Sequence, residues 1–248
     1  MKFHYRGREK NPLRDLEATS DKKSRETSGT RAVMFDLDDT LINSTIDFLK
    51  IRRKTIDFCY SLGVPADALS IEMKTYEIVE KAISELRKRG LTDSECSDIV
   101  GDVSRLWNQV EMENVQETSP VEGAGETRRK LKERGYKIGV VTRSCREYAL
   151  KALEVAGLLG FVDVIVARDD CVKSKPDSEP LAQGMRLLGS KAEETIMVGD
   201  SVTDFQCSRD AGVKFIGVLN KKEFLKTLDR KGRFAIIQSL RELADMVA

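Results

Sequence analysis

After Pro120 short apolar runs alternate with helical stretches, and few folds accept that alternation. The runs are Lys137–Val141, Phe161–Val166, Thr195–Val198, Lys214–Val218 and Phe234–Ile237. Between them Glu126–Arg134, Glu147–Ala156 and Glu179–Leu188 carry the spacing of amphipathic helices. Val- and Ile-rich runs without strict alternation are the signature of strands buried on both faces. The pattern predicts an α/β fold, a doubly wound and mostly parallel sheet covered by helices. A further run, Ala32-Val33-Met34-Phe35, stops at a cluster of carboxylates and reads as a first strand of the same sheet.

Residues 44–118 have a different texture, with no strong strand signal. Ile46, Leu49, Ile56 and Tyr60 fall mostly at helical spacing, as do Ile71, Tyr76, Val79, Ile83 and Leu86. Ile99, Val103, Leu106, Trp107 and Val110 form a third such set, which puts Trp107 in a helical core. Breaks are expected at Leu62-Gly63-Val64-Pro65 and at Arg89–Asp93, where Thr92 or Asp93 is a candidate N-cap. The chain thus divides into a polar N-terminal arm at 1–29, a core made of 30–43 and 119–248, and an inserted all-helical module at 44–118.

One histidine, His4, stands in the arm, so no Ser-His-Asp triad or His-bearing zinc site is expected in the fold. Catalysis must run on carboxylates, Lys, Ser, Thr or Cys. Cys59, Cys96, Cys145, Cys171 and Cys207 are scattered with no C-x-x-C spacing, which suggests a reducing compartment and no disulfide framework. With 42 basic against 41 acidic residues the net charge is +1, which argues against nucleic acid and anionic membranes as partners. No run approaches the roughly 18 apolar residues of a membrane span. The first thirty residues have no apolar signal-peptide core, so the expected location is cytoplasmic.

Four features sit at the carboxyl ends of expected strands, where an open α/β sheet binds its ligands. Asp36-Leu37-Asp38-Asp39-Thr40 places three carboxylates in four residues, an arrangement that needs a cation. Thr142-Arg143-Ser144 ends a strand in two hydroxyls around a guanidinium, and Lys173-Ser174-Lys175-Pro176 is a basic loop. Gly199-Asp200-Ser201-Val202-Thr203-Asp204 adds two carboxylates and a glycine permitting close approach. Together they supply hard oxygens for Mg²⁺, a hydroxyl and a lysine for phosphate, and a carboxylate nucleophile. Asp36 is expected to attack phosphorus and to need no activation, since its reference pKa of about 3.9 leaves it ionised at neutral pH. Asp38 is expected to protonate the leaving oxygen, with its pKa raised.

In this order the four features resemble the haloacid dehalogenase-like hydrolase superfamily, over residues 31 to about 220. The resemblance implies a Rossmann-like core with a helical cap of the phosphoglycolate phosphatase and β-phosphoglucomutase branch. It implies that Asp36 is nucleophile and metal ligand, and that Asp38 is acid/base and binds metal through its carbonyl. Thr142 matches the phosphate-binding hydroxyl and Lys175 the lysine on the phosphoryl oxygens. Asp200 matches a direct metal ligand, while Thr40, Arg143 and Asp204 take supporting places. Lys173 competes with Lys175, but only Lys175 is followed by proline. Asp204 has an alternative as a helix cap. Arg143 departs from the Asn frequent at its position, and Pro180 is displaced from the usual K-P-x-P.

The expected function is a Mg²⁺-dependent, phosphoglycolate-phosphatase-like enzyme acting on a small phosphorylated metabolite, as monomer or homodimer. A phosphomutase on the same scaffold is the enzymatic alternative. A non-enzymatic phospho-acceptor signalling domain is the remote one, since its acidic pair precedes the acceptor strand and it carries no cap.

Overall fold

The computed structural model of the chain describes residues 31–218 and 234–247, so the arm expected at 1–29 lies outside the described residues. A six-stranded sheet is built from β1 (Ala32–Phe35), β4 (Lys137–Val141), β5 (Val164–Val166), β6 (Thr195–Gly199), β7 (Lys214–Val218) and β8 (Phe234–Ile237). Its order is β5-β4-β1-β6-β7-β8 and every pairing is parallel. Ala32 lies opposite Lys137 on one side and Thr195 on the other, so β1 is central.

Successive side chains of β1 point to opposite faces, as the period of a strand requires. Val33 and Phe35 enter one apolar cluster with Val140, Val198 and Tyr148, while Ala32 and Met34 enter another with Val141, Met197 and Leu181. Helices α4 (Ala124–Glu133), α5 (Arg146–Val155) and α8 (Leu240–Met246) cover the first face, through Leu131, Leu153 and Leu243. Helices α6 (Glu179–Leu188) and α7 (Val202–Asp210) cover the second, through Leu188 and Phe205. Each fully buried Val, Leu, Ile or Phe stabilises by roughly 1.5–3 kcal/mol, which is why all four residues of β1 are apolar.

Between β2 (Ile42–Asn43) and β3 (Ser119–Pro120) the chain forms α1 (Phe48–Ser61), α2 (Thr75–Arg87) and α3 (Asp93–Glu113). These helices have a cluster of their own, including Ile56, Cys59, Ile78, Ala82, Leu86 and Val103. Thr92, not Asp93, caps α3: its Oγ1 accepts from Glu95 N at 3.3 Å, and Glu95 Oε2 accepts from Thr92 N at 2.8 Å. Trp107 packs against both this cluster and the first sheet face, and its Nε1 donates to Thr55 Oγ1 at 2.9 Å.

Two details differ from the sequence expectation. The run Phe161–Val166 becomes a strand only from Val164, because Leu159–Phe161 is a single 3₁₀ turn. Just before that strand the Asp163 side chain accepts from Ile138 N at 2.7 Å, taking the place of a ladder partner. The second is the two-residue antiparallel ribbon that joins Ile42 to Pro120 and Asn43 to Ser119, bringing the two ends of the helical segment together. Among the described residues no helix is long and apolar enough to cross a membrane.

Candidate active site

Three adjacent strand ends, those of β4, β1 and β6, carry the candidate residues, and the loop after β5 adds Lys175. Beyond β1 the backbone folds back at once, with Leu41 N and Ile42 N both donating to Leu37 O. Asp39 sits in the left-handed region at φ 59°, which Asp tolerates better than most residues. This turn leaves Asp36 and Asp38 at the strand end. Thr40 is fully buried and its Oγ1 has no hydrogen-bond partner.

The centre of the site is Lys175, 3% exposed, in a loop whose Lys175–Pro176 peptide is cis. Its Nζ donates to Asp36 Oδ1 at 2.5 Å and to Asp204 Oδ1 at 2.6 Å. Lys173, the competing lysine, is exposed and pairs with Asp177 at 3.1 Å. Burial alone would lower the Lys175 pKa, but the carboxylates of Asp204 and Asp36 outweigh it and hold the ammonium form. One ammonium serves two carboxylates, and the balance is visible at Asp36. Burial first, then the charge of Asp204, push its pKa well above the usual range despite Lys175. In its own environment Asp36 is therefore not the freely ionised carboxylate that its reference value suggests.

Asp204 is both cap and site residue. As N3 of α7 its Oδ2 accepts from Ser201 N at 3.1 Å and Ser201 Oγ at 2.6 Å, while Oδ1 holds Lys175. Gly199 makes room for it, since a Cβ there would stand 2.6 Å from the Asp204 carboxyl atoms. Asp36, Asp200 and Asp204 each offer a carboxylate oxygen, and these lie within 4.8 Å of one another. This is a set of hard oxygens with neither His nor thiolate, suited to Mg²⁺ or Ca²⁺. Asp204 thus stands nearer the centre than a supporting place implies.

The Asp38 carboxyl points elsewhere. Its Oδ2 accepts from Ser144 Oγ at 2.8 Å and from Thr142 Oγ1 at 3.5 Å, and its Oδ1 from the hydroxyl of Tyr148 at 2.9 Å. Burial raises its pKa, against the pull of those hydrogen bonds. The Thr142 hydroxyl also accepts from Ser144 N at 3.0 Å. Ser144 was visible in sequence as the second hydroxyl of its loop; Tyr148 gave no signal.

Sequence reading also missed the brace beneath this loop. Glu111 of α3 is 4% exposed and pairs with Arg168 at 2.5 Å. Its other oxygen accepts from Cys145 N at 2.9 Å, while Arg168 donates to Arg143 O at 2.8 Å and, from its backbone N, to Ser144 O at 3.0 Å. Arg168 also bonds Asn108 and lies 5.2 Å over the Trp107 ring. One ion pair therefore pins the backbone of residues 143–145 to the helical segment. The available signal was an acid at i+4 from Trp107, on the apolar stripe of α3. A thiolate nucleophile is not available here, since burial pushes Cys145 up to about 12.

Residues 33–218 match the family described as haloacid dehalogenase-like hydrolase. Pyrophosphatase PpaX of Halalkalibacterium halodurans is 34% identical over 219 residues, spanning 87% of this chain and 95% of its own length. A HAD phosphatase from Thermococcus onnurineus has a similar fold, with TM-score 0.58 and 21% identity, covering 88% of this chain and 98% of its own. CbbY from Rhodobacter sphaeroides, solved in complex with phosphate, is similar at TM-score 0.57 and 17% identity, covering 86% of this chain and 96% of its own.

Proposed function

The chain belongs to the haloacid dehalogenase-like hydrolases, and from that footing we propose that it is a Mg²⁺-dependent phosphatase forming an aspartyl-phosphate on Asp36. Its substrate is a small phosphorylated metabolite, either a phosphoglycolate-like monoester or, as the name of the PpaX relative suggests, a diphosphate. The observation that carries this reading is Lys175 buried between Asp36 and Asp204, with Asp200 converging on them.

Asp36, Asp200 and Asp204 would hold a hard divalent cation, with the Asp38 carbonyl as the further oxygen that the family resemblance assigns. When bound, Mg²⁺ neutralises the anionic cluster, keeps Asp36 ionised and screens its approach to a phosphoryl group. Asp36 attacks phosphorus in line and the bond from phosphorus to the leaving oxygen breaks. Lys175 takes charge from the phosphoryl oxygens, and Thr142 donates a hydroxyl hydrogen bond to them. Asp38, whose burial favours the protonated form, delivers its proton to the leaving oxygen. It then accepts a proton from the water that hydrolyses the acyl phosphate, restoring both aspartates. The helical segment 44–118 acts as the cap that excludes water and reads the leaving group.

The test is phosphate release from a panel of phosphometabolites and pyrophosphate with Mg²⁺, beside Asp36→Asn. Turnover that survives in this variant discards the mechanism. Isomer interconversion without net phosphate release would instead mark a phosphomutase.

A further inference from the structure

The guanidinium of Arg143 is half-buried at the carboxyl end of β4, directly after Thr142. Among the described residues it has no hydrogen bond and no carboxylate at ion-pairing distance. Its company is electrostatic and aromatic. Asp36 and Asp204 act on it through space, but Lys175 already occupies both. The ring of Tyr76, from the first turn of α2, lies 5.6 Å from it. The Tyr76 hydroxyl donates to Glu77 Oε1 at 3.2 Å, which helps fix the ring. The backbone of Arg143 is itself held, through its carbonyl, by Arg168. A cation taken partly out of water costs free energy unless an anion meets it. Here it follows a braced strand end, within electrostatic reach of the nucleophile and 5.6 Å from an aromatic ring contributed by the helical segment.

We propose that Arg143 is a specificity-determining contact for the leaving group, and that preferred substrates carry a second anionic group beyond the scissile bond, as in a diphosphate or a phosphorylated carboxylic acid. This rests on the reading of Asp36 as the nucleophile. Arg143 suits the role better than a lysine would, because its planar fork meets a carboxylate or phosphate with two parallel hydrogen bonds. The cation–π contact with Tyr76 reduces the rotamer freedom lost when the anion binds. Lys74, immediately before α2, lies 5.8 Å from the same ring and adds positive potential on the side of the helical segment.

The experiment compares wild type, Arg143→Met and Arg143→Lys on inorganic pyrophosphate, 2-phosphoglycolate and p-nitrophenyl phosphate. The last has a leaving group without a second anion. The readout is the ratio of kcat/KM for each anionic substrate to that for p-nitrophenyl phosphate. It is expected to fall about 10- to 100-fold in Arg143→Met, the effect of losing a charge-assisted contact, and to recover in part in Arg143→Lys. An unchanged ratio, or an equal loss on all three substrates, overturns the role of Arg143 alone. If the wild type releases phosphate from none of the three, and matches Asp36→Asn, the phosphatase reading and this inference both fall.

Discussion

Lys175→Met removes the ammonium and keeps most of the side-chain volume, leaving Asp36 and Asp204 facing each other in a site almost closed to solvent. Their oxygens lie within 4.8 Å. At an effective dielectric of about 20, two like charges at that distance repel by about 3.5 kcal/mol. Removing one partner from a buried ion pair typically costs about 3–5 kcal/mol, in the same range. For a chain of this size such a loss lowers Tm by roughly 6–20 °C. The assay is urea unfolding with chelator present, so that no cation takes the place of the lysine. The effect must depend on pH in a definite sense. Asp36 already has a folded-state pKa well above 3.8, and loss of Lys175 raises it further. The native state of the variant therefore binds a proton that the unfolded chain releases at lower pH. Stability falls as pH rises from the unfolded value through the folded one, so the deficit against wild type shrinks as pH falls from neutral toward the unfolded value of 3.8. A loss below about 1 kcal/mol at neutral pH, or a deficit independent of pH, would refute the account of the buried cluster.

Other expectations follow from the same geometry. Arg168→Met strands the Glu111 carboxylate and should cost about 3–5 kcal/mol in urea unfolding, whereas Glu111→Gln/Arg168→Met together should lose clearly less than the two single changes added. Gly199→Ala puts a methyl against a carboxyl that Lys175 and Ser201 hold in place, so about 1–3 kcal/mol of overpacking and weaker Mg²⁺ binding are expected by unfolding and calorimetry. Asp38→Asn without metal should melt above wild type at neutral pH, because a raised folded pKa makes the ionised carboxyl a liability. The gain should vanish as pH falls below the unfolded value near 3.8; a lower Tm at neutral pH counts against that assignment.

The sheet was legible because β1, β4, β6, β7 and β8 are apolar runs that need no tertiary information to identify. The parts that escaped are those made by pairing across the chain. Two residues on either side of the helical segment form the ribbon at Ile42–Asn43 and Ser119–Pro120, too short for any periodicity and containing a proline. Asp163 replaces a ladder partner with its side chain, which hydropathy cannot register. In the site, each acid and the lysine fall at a strand end or in the loop after one, as the spacing predicts. Which carboxylates converge was not readable: Asp204 joins Asp36 and Asp200, while the Asp38 carboxyl turns to Ser144 and Tyr148. Glu111 shows in the sequence only as an acid on the apolar stripe of α3, and only folding brings Arg168 to it.

The central place of β1 has a consequence for how the protein is made. The strand leaves the ribosome before both of its neighbours, Lys137–Val141 and Thr195–Gly199. At about 5–20 residues per second, the stretch from Phe35 to Gly199 takes roughly 10–30 s to synthesise. The helices from Phe48 to Glu113 depend on near contacts and can close while translation continues, whereas Ala-Val-Met-Phe must wait for both partners. The residue that would carry the phosphoryl group is thus attached to a strand that waits for both of its neighbours, and slow or interrupted translation after residue 113 exposes a wholly apolar strand to aggregation.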